Sequence, residues 1–356
     1  MKRENPLNRP VAESEMASWQ QSLRIMLTWF LNRRTAYLDI DGDHVVRMIG
    51  DHLNKSYHFT NSSLFETKTV KKCAVTFDPQ TYLAHDPVYL SPIAELYNCV
   101  NERMKPFISN FFLHGSMATM DYCKGWSDVD TFVVIKKETL HNTSLLLQLR
   151  KQCIDAYAYL LKIDPLQHHG LIYVTEYDLD YYPAIIMPPP VFDHAQSFLD
   201  EGEEITFHLR DSQEESVNMM YGTYNLMGNA LKSGIFKHHA YQGEYLRAEY
   251  ENAGNAMYQF KYFLALVMSL PVHFLNTLGQ YYHKRKSFDI CKDLLKGEWA
   301  IIEKASKVRD LWPEKETIPF RSNAIPPWVQ AIIGPEYFKE GFALMHAMIK
   351  NIKPIS

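Results

Sequence analysis

The stretch ISNFFLHGS at residues 108–116 and the stretch DVDTFVVI at residues 128–135 decide the fold of this 356-residue chain. Each contains a strand-like apolar run. Between them lie a helix-compatible piece, Met117 to Cys123, and the turn Lys124-Gly125-Trp126-Ser127. The order of strand, Gly-Ser turn, short helix and second strand predicts a small sheet with polar groups where the two strands adjoin the turn.

Two acidic side chains begin the second strand. Because side chains alternate in a strand, Asp128 and Asp130 should lie on one side with Phe132 and Val134. The side chains of Val129, Thr131, Val133 and Ile135 should then point the other way. Like charges about 7 Å apart at Cα favour a divalent cation between them, with Mg²⁺ as the first choice. Alone, an Asp-x-Asp pattern is more often an exposed strand end.

The small residues before the acidic pair make a metal site more plausible. Gly115 allows the backbone to approach a phosphate closely, and the Ser116 hydroxyl with nearby amides can donate to phosphate oxygens. The ordinary alternative is a strand-to-helix turn. The combination of this turn with Asp128 and Asp130 favours the phosphate and metal interpretation.

The rest of the chain predicts three segments. Residues 1–90 are expected to be a mostly helical extension, with a helix from Glu13 to about Leu38. Residues 91–190 form a mixed α/β unit, which ends at the run Met187-Pro188-Pro189-Pro190. Residues 191–356 are mostly helical.

Within the middle unit, Ser91 is expected to cap a helix that ends near Met104. The other predicted elements are helices at 44–53, 139–163, 212–232, 248–269, 271–278, 288–308 and 337–350, and strands at 73–77 and 171–175.

Composition narrows the function classes. The formal charge of -4 gives no reason to expect extended binding along nucleic acid. The five cysteines are scattered without metal-ligand spacing, which indicates reduced thiols. The polar N-terminus does not resemble a secretory signal, and no apolar stretch is long enough for a comfortable membrane span. A cytoplasmic protein without membrane partners is expected.

The segment Leu113-His114-Gly115-Ser116, separated by eleven residues from Asp128-Val129-Asp130, resembles the signature of the DNA polymerase beta-like nucleotidyltransferase superfamily. This superfamily includes aminoglycoside adenylyltransferases, CCA-adding enzymes and polymerases. The resemblance covers roughly residues 105–136. Residues 261–287 also resemble part of the second domain of the antibiotic nucleotidyltransferases. The resemblance implies a small mixed-sheet nucleotidyltransferase core followed by a helical C-terminal domain.

The resemblance also implies a set of site residues. Asp128 and Asp130 would hold two Mg²⁺ or Mn²⁺ ions that orient a triphosphate. Nucleotide contacts are expected from Gly115, Ser116 and Ser127. Independently of the resemblance, the positive run Lys284-Arg285-Lys286 makes Lys284 and Lys286 candidates for neutralising the triphosphate, with a solvated helix flank as the equal alternative. The superfamily generally adds a third carboxylate on a neighbouring strand, but His168-His169-Gly170 stand at that point here. Glu176 would serve if the strand register is shifted, and His169 would act as base or ligand if it is not.

The expected function is transfer of a nucleoside monophosphate from ATP or another triphosphate to an acceptor hydroxyl. A small-molecule acceptor is favoured over a protein or a nucleic acid, since the charge is near neutral and a two-domain cleft suits a small ligand. Two alternatives stay open. One is a non-catalytic nucleotide-binding or interaction protein with the same fold. The other is a glycosyltransferase that uses Asp-x-Asp to hold a metal and a nucleotide sugar.

Overall fold

The computed structural model describes residues 12–32, 42–60, 65–167, 169–200, 202–233, 256–315 and 324–352. Within these ranges the fold is mixed α/β with many helices, which confirms the predicted fold class at this level. The helices are α1 (Glu13–Asn32), α2 (Gly42–Tyr57), α3 (Pro79–His85), α4 (Ser91–Cys99), α5 (Gly115–Ala118), α6 (Lys137–Leu140), α7 (Thr143–Ile163), α8 (Glu176–Asp180), α9 (Gln213–Ser233), α10 (Ala256–Thr277), α11 (Lys284–Leu294), α12 (Ala300–Lys315), α13 (Pro327–Ile333) and α14 (Tyr337–Asn351). The strands are β1 (Lys68–Cys73), β2 (Val75–Thr76), β3 (Ile108–His114), β4 (Asp130–Ile135), β5 (Ile172–Thr175), β6 (Tyr182–Pro183), β7 (Gln196–Ser197) and β8 (Glu204–Arg210).

A five-stranded sheet carries the stretches that decide the fold. Its strand order is β2-β7-β3-β4-β5, with β3 and β4 antiparallel and β4 and β5 parallel. The register of β3 and β4 pairs His114 with Asp130. The end of β3 and the start of β4 therefore lie side by side, as the sequence predicts.

The two faces of this sheet carry separate apolar layers. Val129, Val133 and Ile135 are buried in the core that α1, α4 and α7 cover. Phe132 and Val134 are buried on the other face. This alternation confirms the predicted side-chain directions, and it places Asp130 on the Phe132 side of the sheet.

A second sheet, with strand order β1-β8-β6, lies against the Phe132 face. Phe192, Phe207 and Tyr182 form the apolar layer between the sheets together with Phe132. Ring-centroid distances of 4.7 to 5.1 Å between neighbouring rings show close aromatic packing. The two sheets therefore share one buried layer behind the acidic pair.

Contacts and strand pairs cross the predicted boundaries at residues 90 and 190. Before residue 90, α1 and α2 pack on α7, and β1 and β2 pair with β8 and β7. Strands β7 and β8 follow the proline run and still pair with β3 and β1. The sheet unit therefore continues to Arg210, because strand pairing holds the chain on both sides of the prolines. The predicted helix end near Leu38 lies outside the described residues.

The helical unit follows the sheet unit, from α9 to α14, around its own apolar core. One helix, α10, runs through Pro271, where the sequence predicts two helices. Buried Val267, Leu270 and Phe274 hold both sides of the proline in the same core, and this packing outweighs the lost backbone hydrogen bond. The predicted helix 288–308 is instead two helices, α11 and α12. Among the described residues, no helix combines the length and apolarity that a membrane span requires.

A smaller correction concerns the start of α4. The predicted cap by Ser91 is absent, because its hydroxyl donates to the carbonyl of Val88 at 3.2 Å. Leu90 occupies the capping position without a side-chain hydrogen bond, and a π-helical turn, Val100–Met104, follows the helix. The helix nonetheless reaches Met104 and leads directly into β3, as predicted.

Candidate functional site

The candidate site lies where β4 begins, next to the end of β3. Asp128 and Asp130 are joined there by His169, which precedes β5. One ligand atom from each of the three side chains lies within 4.8 Å of the other two. Each side chain is partly accessible. The arrangement is a mixed oxygen and nitrogen cluster of the size that a metal ion requires.

The distances from His169 fit a shared cation. His169 Nε2 lies 3.4 Å from Asp128 Oδ2 and 3.2 Å from Asp130 Oδ1. Two ligand atoms that are each about 2.1 Å from an ion lie about 3.0 to 3.4 Å apart at bond angles between 90° and 109°. The two distances from His169 therefore match those between neighbouring ligands of one divalent ion.

Gly115 provides the space in front of Asp130. Its φ of +69° lies in the left-handed region that favours glycine. A Cβ atom built on Gly115 would collide with the carboxylate of Asp130. The sequence requires glycine at this position for two reasons, namely the backbone conformation and the close approach of the carboxylate.

A contact at Nδ1, on the side of the ring away from the aspartates, fixes the orientation of His169. Its Nδ1 lies 2.9 Å from the carbonyl oxygen of Gly170 and 3.3 Å from Nε2 of Gln167. The carbonyl can only accept a hydrogen bond, so this contact favours the tautomer with the proton on Nδ1. In the neutral ring, the Nε2 lone pair then faces the two aspartates. This outer hydrogen bond is the usual way in which proteins orient a metal-binding histidine.

Gln167 holds the main chain between the two aspartates. Its Oε1 accepts from the amide of Val129 at 3.1 Å, and its Nε2 donates to the carbonyl of Val129 at 3.0 Å. Since β4 begins only at Asp130, this side chain takes the place of a neighbouring strand at Val129. Gln167 thus fixes the aspartates on one side and His169, two residues later, on the other.

The aspartates control the protonation of His169. Burial disfavours the charged imidazole, but hydrogen bonds and charges from Asp128 and Asp130 outweigh it and raise the pKa of His169 well above its ordinary value. The nearby His114 behaves in the opposite way, because burial lowers its pKa against the attraction of Asp130. The protonated ring of His169 therefore provides a positive charge between the two carboxylates.

Of the two predicted lysines, Lys284 interacts electrostatically with Asp128 and Asp130. Desolvation by the surrounding protein lowers the pKa of Lys284, and Asp128 and then Asp130 oppose this change. Both lysines are exposed, and Lys286 follows two residues later on α11, about 200° around the helix axis. No described hydrogen bond or ion pair connects Lys286 with Asp128 or Asp130. Lys284 is therefore the better candidate for a phosphate contact.

Arg309, which the sequence did not suggest, adds positive charge at the same place. It extends from α12 and donates to the main-chain carbonyl of Asp121, with its side chain 3.4 Å from the Asp121 carboxylate. Its charge also contributes to the lowered pKa of Lys284. Two cations from the helical unit, Lys284 and Arg309, therefore lie beside the loop that links α5 to β4.

The two predicted serine contacts have different surroundings. Ser127 is buried, its Oγ accepts from the amide of Cys123 at 2.9 Å, and its own amide donates to the Cys123 carbonyl. The first role of Ser127 is thus to close the turn before Asp128. Ser116 is half-buried in α5, beside Gly115, and its carbonyl accepts from the amide of Asp121.

The structure does not bring Glu176 to the site. Its Oε2 accepts from the amide of Lys137 at 2.8 Å, at the start of α6. Because β4 and β5 are parallel and Ile135 pairs with Thr175, Glu176 lies roughly 20 Å from Asp130 along the strand direction. The observed pairing of β4 with β5 therefore places His169, and not Glu176, next to Asp128 and Asp130.

A buried ion pair links the helical unit to the back of the site. Lys261 of α10 donates to Asp164, and both side chains are almost completely buried. Burial raises the pKa of Asp164, the Lys261 ammonium opposes this, and the charge of Asp128 adds to the rise. The sequence identified Asp164 only as the end of a helix, since nothing local to it marks a distant partner.

No family model matches the chain, and no curated protein or solved structure matches it.

Proposed function

We propose that the chain is a metal-dependent nucleotidyltransferase, which moves a nucleoside monophosphate from a nucleoside triphosphate to an acceptor hydroxyl. One observation carries the proposal. The carboxylates of Asp128 and Asp130 and the imidazole of His169 form a cation-sized cluster directly against the Gly115 turn. Because Gly115 has no side chain, phosphate oxygens can reach an ion held by these three groups from the side of the turn.

The surrounding charges support a polyphosphate ligand. Asp128, Asp130 and His169 would hold a divalent ion such as Mg²⁺ or Mn²⁺, with a second ion added together with the nucleotide. Such an ion neutralises phosphate charge and lowers the pKa of an acceptor hydroxyl. Lys284, together with Arg309, supplies cations for the phosphates that do not contact the metal.

The reaction is an in-line displacement at the α-phosphorus. A bond forms between the acceptor oxygen and the α-phosphorus, and the bond from that phosphorus to the β-phosphate breaks. Pyrophosphate leaves, and the hydroxyl proton passes to a carboxylate oxygen of the Asp128–Asp130 pair. The protein contributes mainly position and charge, as in other phosphoryl-group transfers.

A small-molecule acceptor agrees best with the charge distribution. The net charge of -4 does not favour a long nucleic-acid contact. The acidic pair lies between the sheet unit and the helical unit, which supplies Lys284. A site between two units suits a ligand of small or medium size.

A non-catalytic nucleotide-binding protein is the second candidate. The observation that favours it is His169 in the position where the superfamily it resembles generally places a third carboxylate. A histidine there still supports metal and nucleotide binding, but it removes one anionic group from the cluster. Binding without turnover would identify this alternative.

Incubation with each α-³²P-labelled nucleoside triphosphate, Mg²⁺ or Mn²⁺ and a small-molecule extract tests the proposal. We expect label in one extract fraction and release of pyrophosphate. D128N and D130N should each abolish transfer, while D155N, at an exposed ion pair on α7, should leave transfer intact. Calorimetry that finds equal triphosphate binding with excess chelator would reject the metal-dependent transferase.

A further inference from the structure

We propose that the Asp128–Asp130–His169 site selects a first-row transition dication, such as Mn²⁺ or Co²⁺, over Mg²⁺. The inference rests on the metal site of the proposed function but not on the transfer reaction itself. It narrows the cofactor from any divalent ion to a chemical class.

The ligand atoms support this selection. Asp128 and Asp130 offer carboxylate oxygens, which hard and borderline ions both accept. His169 offers an imidazole nitrogen, which first-row transition ions accept readily and Mg²⁺ seldom takes from a protein. One nitrogen among three side-chain ligands therefore shifts the preference away from Mg²⁺.

The nitrogen lone pair is directed towards the aspartates in the neutral ring. The carbonyl of Gly170 takes the Nδ1 proton of His169, so Nε2 is the ring atom that faces Asp128 and Asp130. Gln167 fixes the main chain on the aspartate side. A nitrogen oriented in this way contributes to the site as a ligand and not only as a neighbouring polar group.

Within the described residues, the nearby acid that could replace His169 is held elsewhere. Asp164 interacts electrostatically with Asp128, but Lys261 pairs with one of its oxygens and the amide of Leu166 donates to the other at 3.0 Å. Its side chain is almost fully buried. Asp164 therefore cannot add a third carboxylate without breaking a buried ion pair.

Metal titration of the tag-free protein tests the inference without any nucleotide. We expect Mn²⁺ and Co²⁺ to bind the wild-type protein at least about 10-fold more tightly than Mg²⁺. In H169D, the ratio of Mn²⁺ to Mg²⁺ affinity should fall by about 10-fold, since a third carboxylate suits Mg²⁺. H208D, at a histidine of the other sheet that lies 3.3 Å from Thr69, is the matched control and should keep the wild-type ratio.

A spectroscopic measurement makes the test independent of variant folding. Electron spin-echo spectroscopy of bound Mn²⁺ should detect one coupled imidazole nitrogen in wild type and none in H169N. Absence of nitrogen coupling in wild type, or an unchanged affinity ratio in folded H169D, would overturn the inference. Nitrogen coupling without nucleotidyl transfer would instead reject only the proposed function, and transfer with a metal bound through oxygen alone would reject only the selectivity.

Discussion

Gln167 and Val129 are joined by two hydrogen bonds that run in opposite directions between one side-chain amide and one peptide unit. The side chain of Gln167 is almost completely buried, and Val129 lies between the two aspartates. The contact therefore ties the segment before β5 to the segment before β4. It sets the distance between His169 and the carboxylates.

Replacement of Gln167 by alanine should weaken both folding and metal binding. Loss of two hydrogen bonds at a buried peptide unit should lower the free energy of unfolding by about 2 to 3 kcal/mol. Mn²⁺ affinity should fall by about 10-fold, as for other groups that orient metal ligands. Denaturant unfolding and calorimetry measure the two effects. Q148A, on the exposed surface of α7, should change neither, and a Q167A protein with wild-type Mn²⁺ affinity would contradict the assigned role.

Gly115 and Gly279 form a matched pair of glycines, since both have a φ of +69°. G279A should lose about 1 kcal/mol of stability from backbone strain alone, because no described atom lies within 4 Å of the added Cβ. G115A adds a collision with the Asp130 carboxylate, so it should lose more stability and at least about 10-fold in Mn²⁺ affinity. Equal metal binding by the two variants would show that Gly115 does not shape the site.

Lys284 and Lys286 provide a comparison within one helix. K284A should weaken triphosphate binding in the presence of Mn²⁺ by about 10-fold, because it removes a cation that Asp128 and Asp130 attract. K286A should stay within about 2-fold of wild type, since its side chain extends from a different side of α11. Calorimetry with a nucleoside triphosphate and its monophosphate measures both. The K284A loss should be smaller for the monophosphate, and an identical loss for both ligands would exclude a contact with the outer phosphates.

Glu176 should contribute to stability and not to metal binding. E176Q weakens the charge-assisted hydrogen bond to the Lys137 amide, so we expect a loss of about 1 kcal/mol in the free energy of unfolding. Its Mn²⁺ affinity should equal that of wild type. A drop in affinity comparable to that of D130N would mean that the strand register in solution differs from the one described.

His273 in α10 should make the helical unit acid-sensitive. Burial lowers the pKa of His273 to about 4, and the charge of Lys284 acts in the same direction. An unfolded histidine titrates near pH 6.5, so between about pH 6.5 and 4 the unfolded chain binds a proton that the folded chain excludes. Stability should fall as the pH drops through this range, by up to about 3 kcal/mol from this residue. Below about pH 4 the residue adds no further loss.

The variant H273L should remove this contribution. The difference in free energy of unfolding between H273L and wild type, followed from pH 7 to pH 4, should grow as the pH falls. H208L serves as the control, because His208 lies on β8 away from the helical core. A constant difference between H273L and wild type over the whole range would contradict the lowered pKa.

Local sequence patterns predicted the core of the site well. Alternation from Val129 to Ile135 was enough to assign the sheet faces, because one face packs on helices and the other on a second sheet. The position of Gly115 beside Asp130 followed from the order of strand and turn. These features depend on residues that are close in sequence, where steric rules act directly.

Features that depend on distant partners were not predictable in the same way. Gln167 resembles any polar residue after a helix, and only the folded register shows that it pairs with Val129. Strand β7 has two residues, too few for a recognisable pattern, so its pairing with β3 beyond the proline run was not predicted. Pro271 was mistaken for the start of a second helix because local propensity cannot show the core that surrounds it.

The ion pair between Asp164 and Lys261 restricts how this architecture can be recombined. A chain cut after Arg210 would keep both sheets but would leave the Asp164 carboxylate without its counter-ion, in a poorly solvated position close to Asp128. Any substitute helical module would need a cation at the same point to keep the acidic pair in its present electrostatic surroundings. The helical unit is therefore part of the electrostatic environment of the sheet unit, and the two should be inherited or transplanted together.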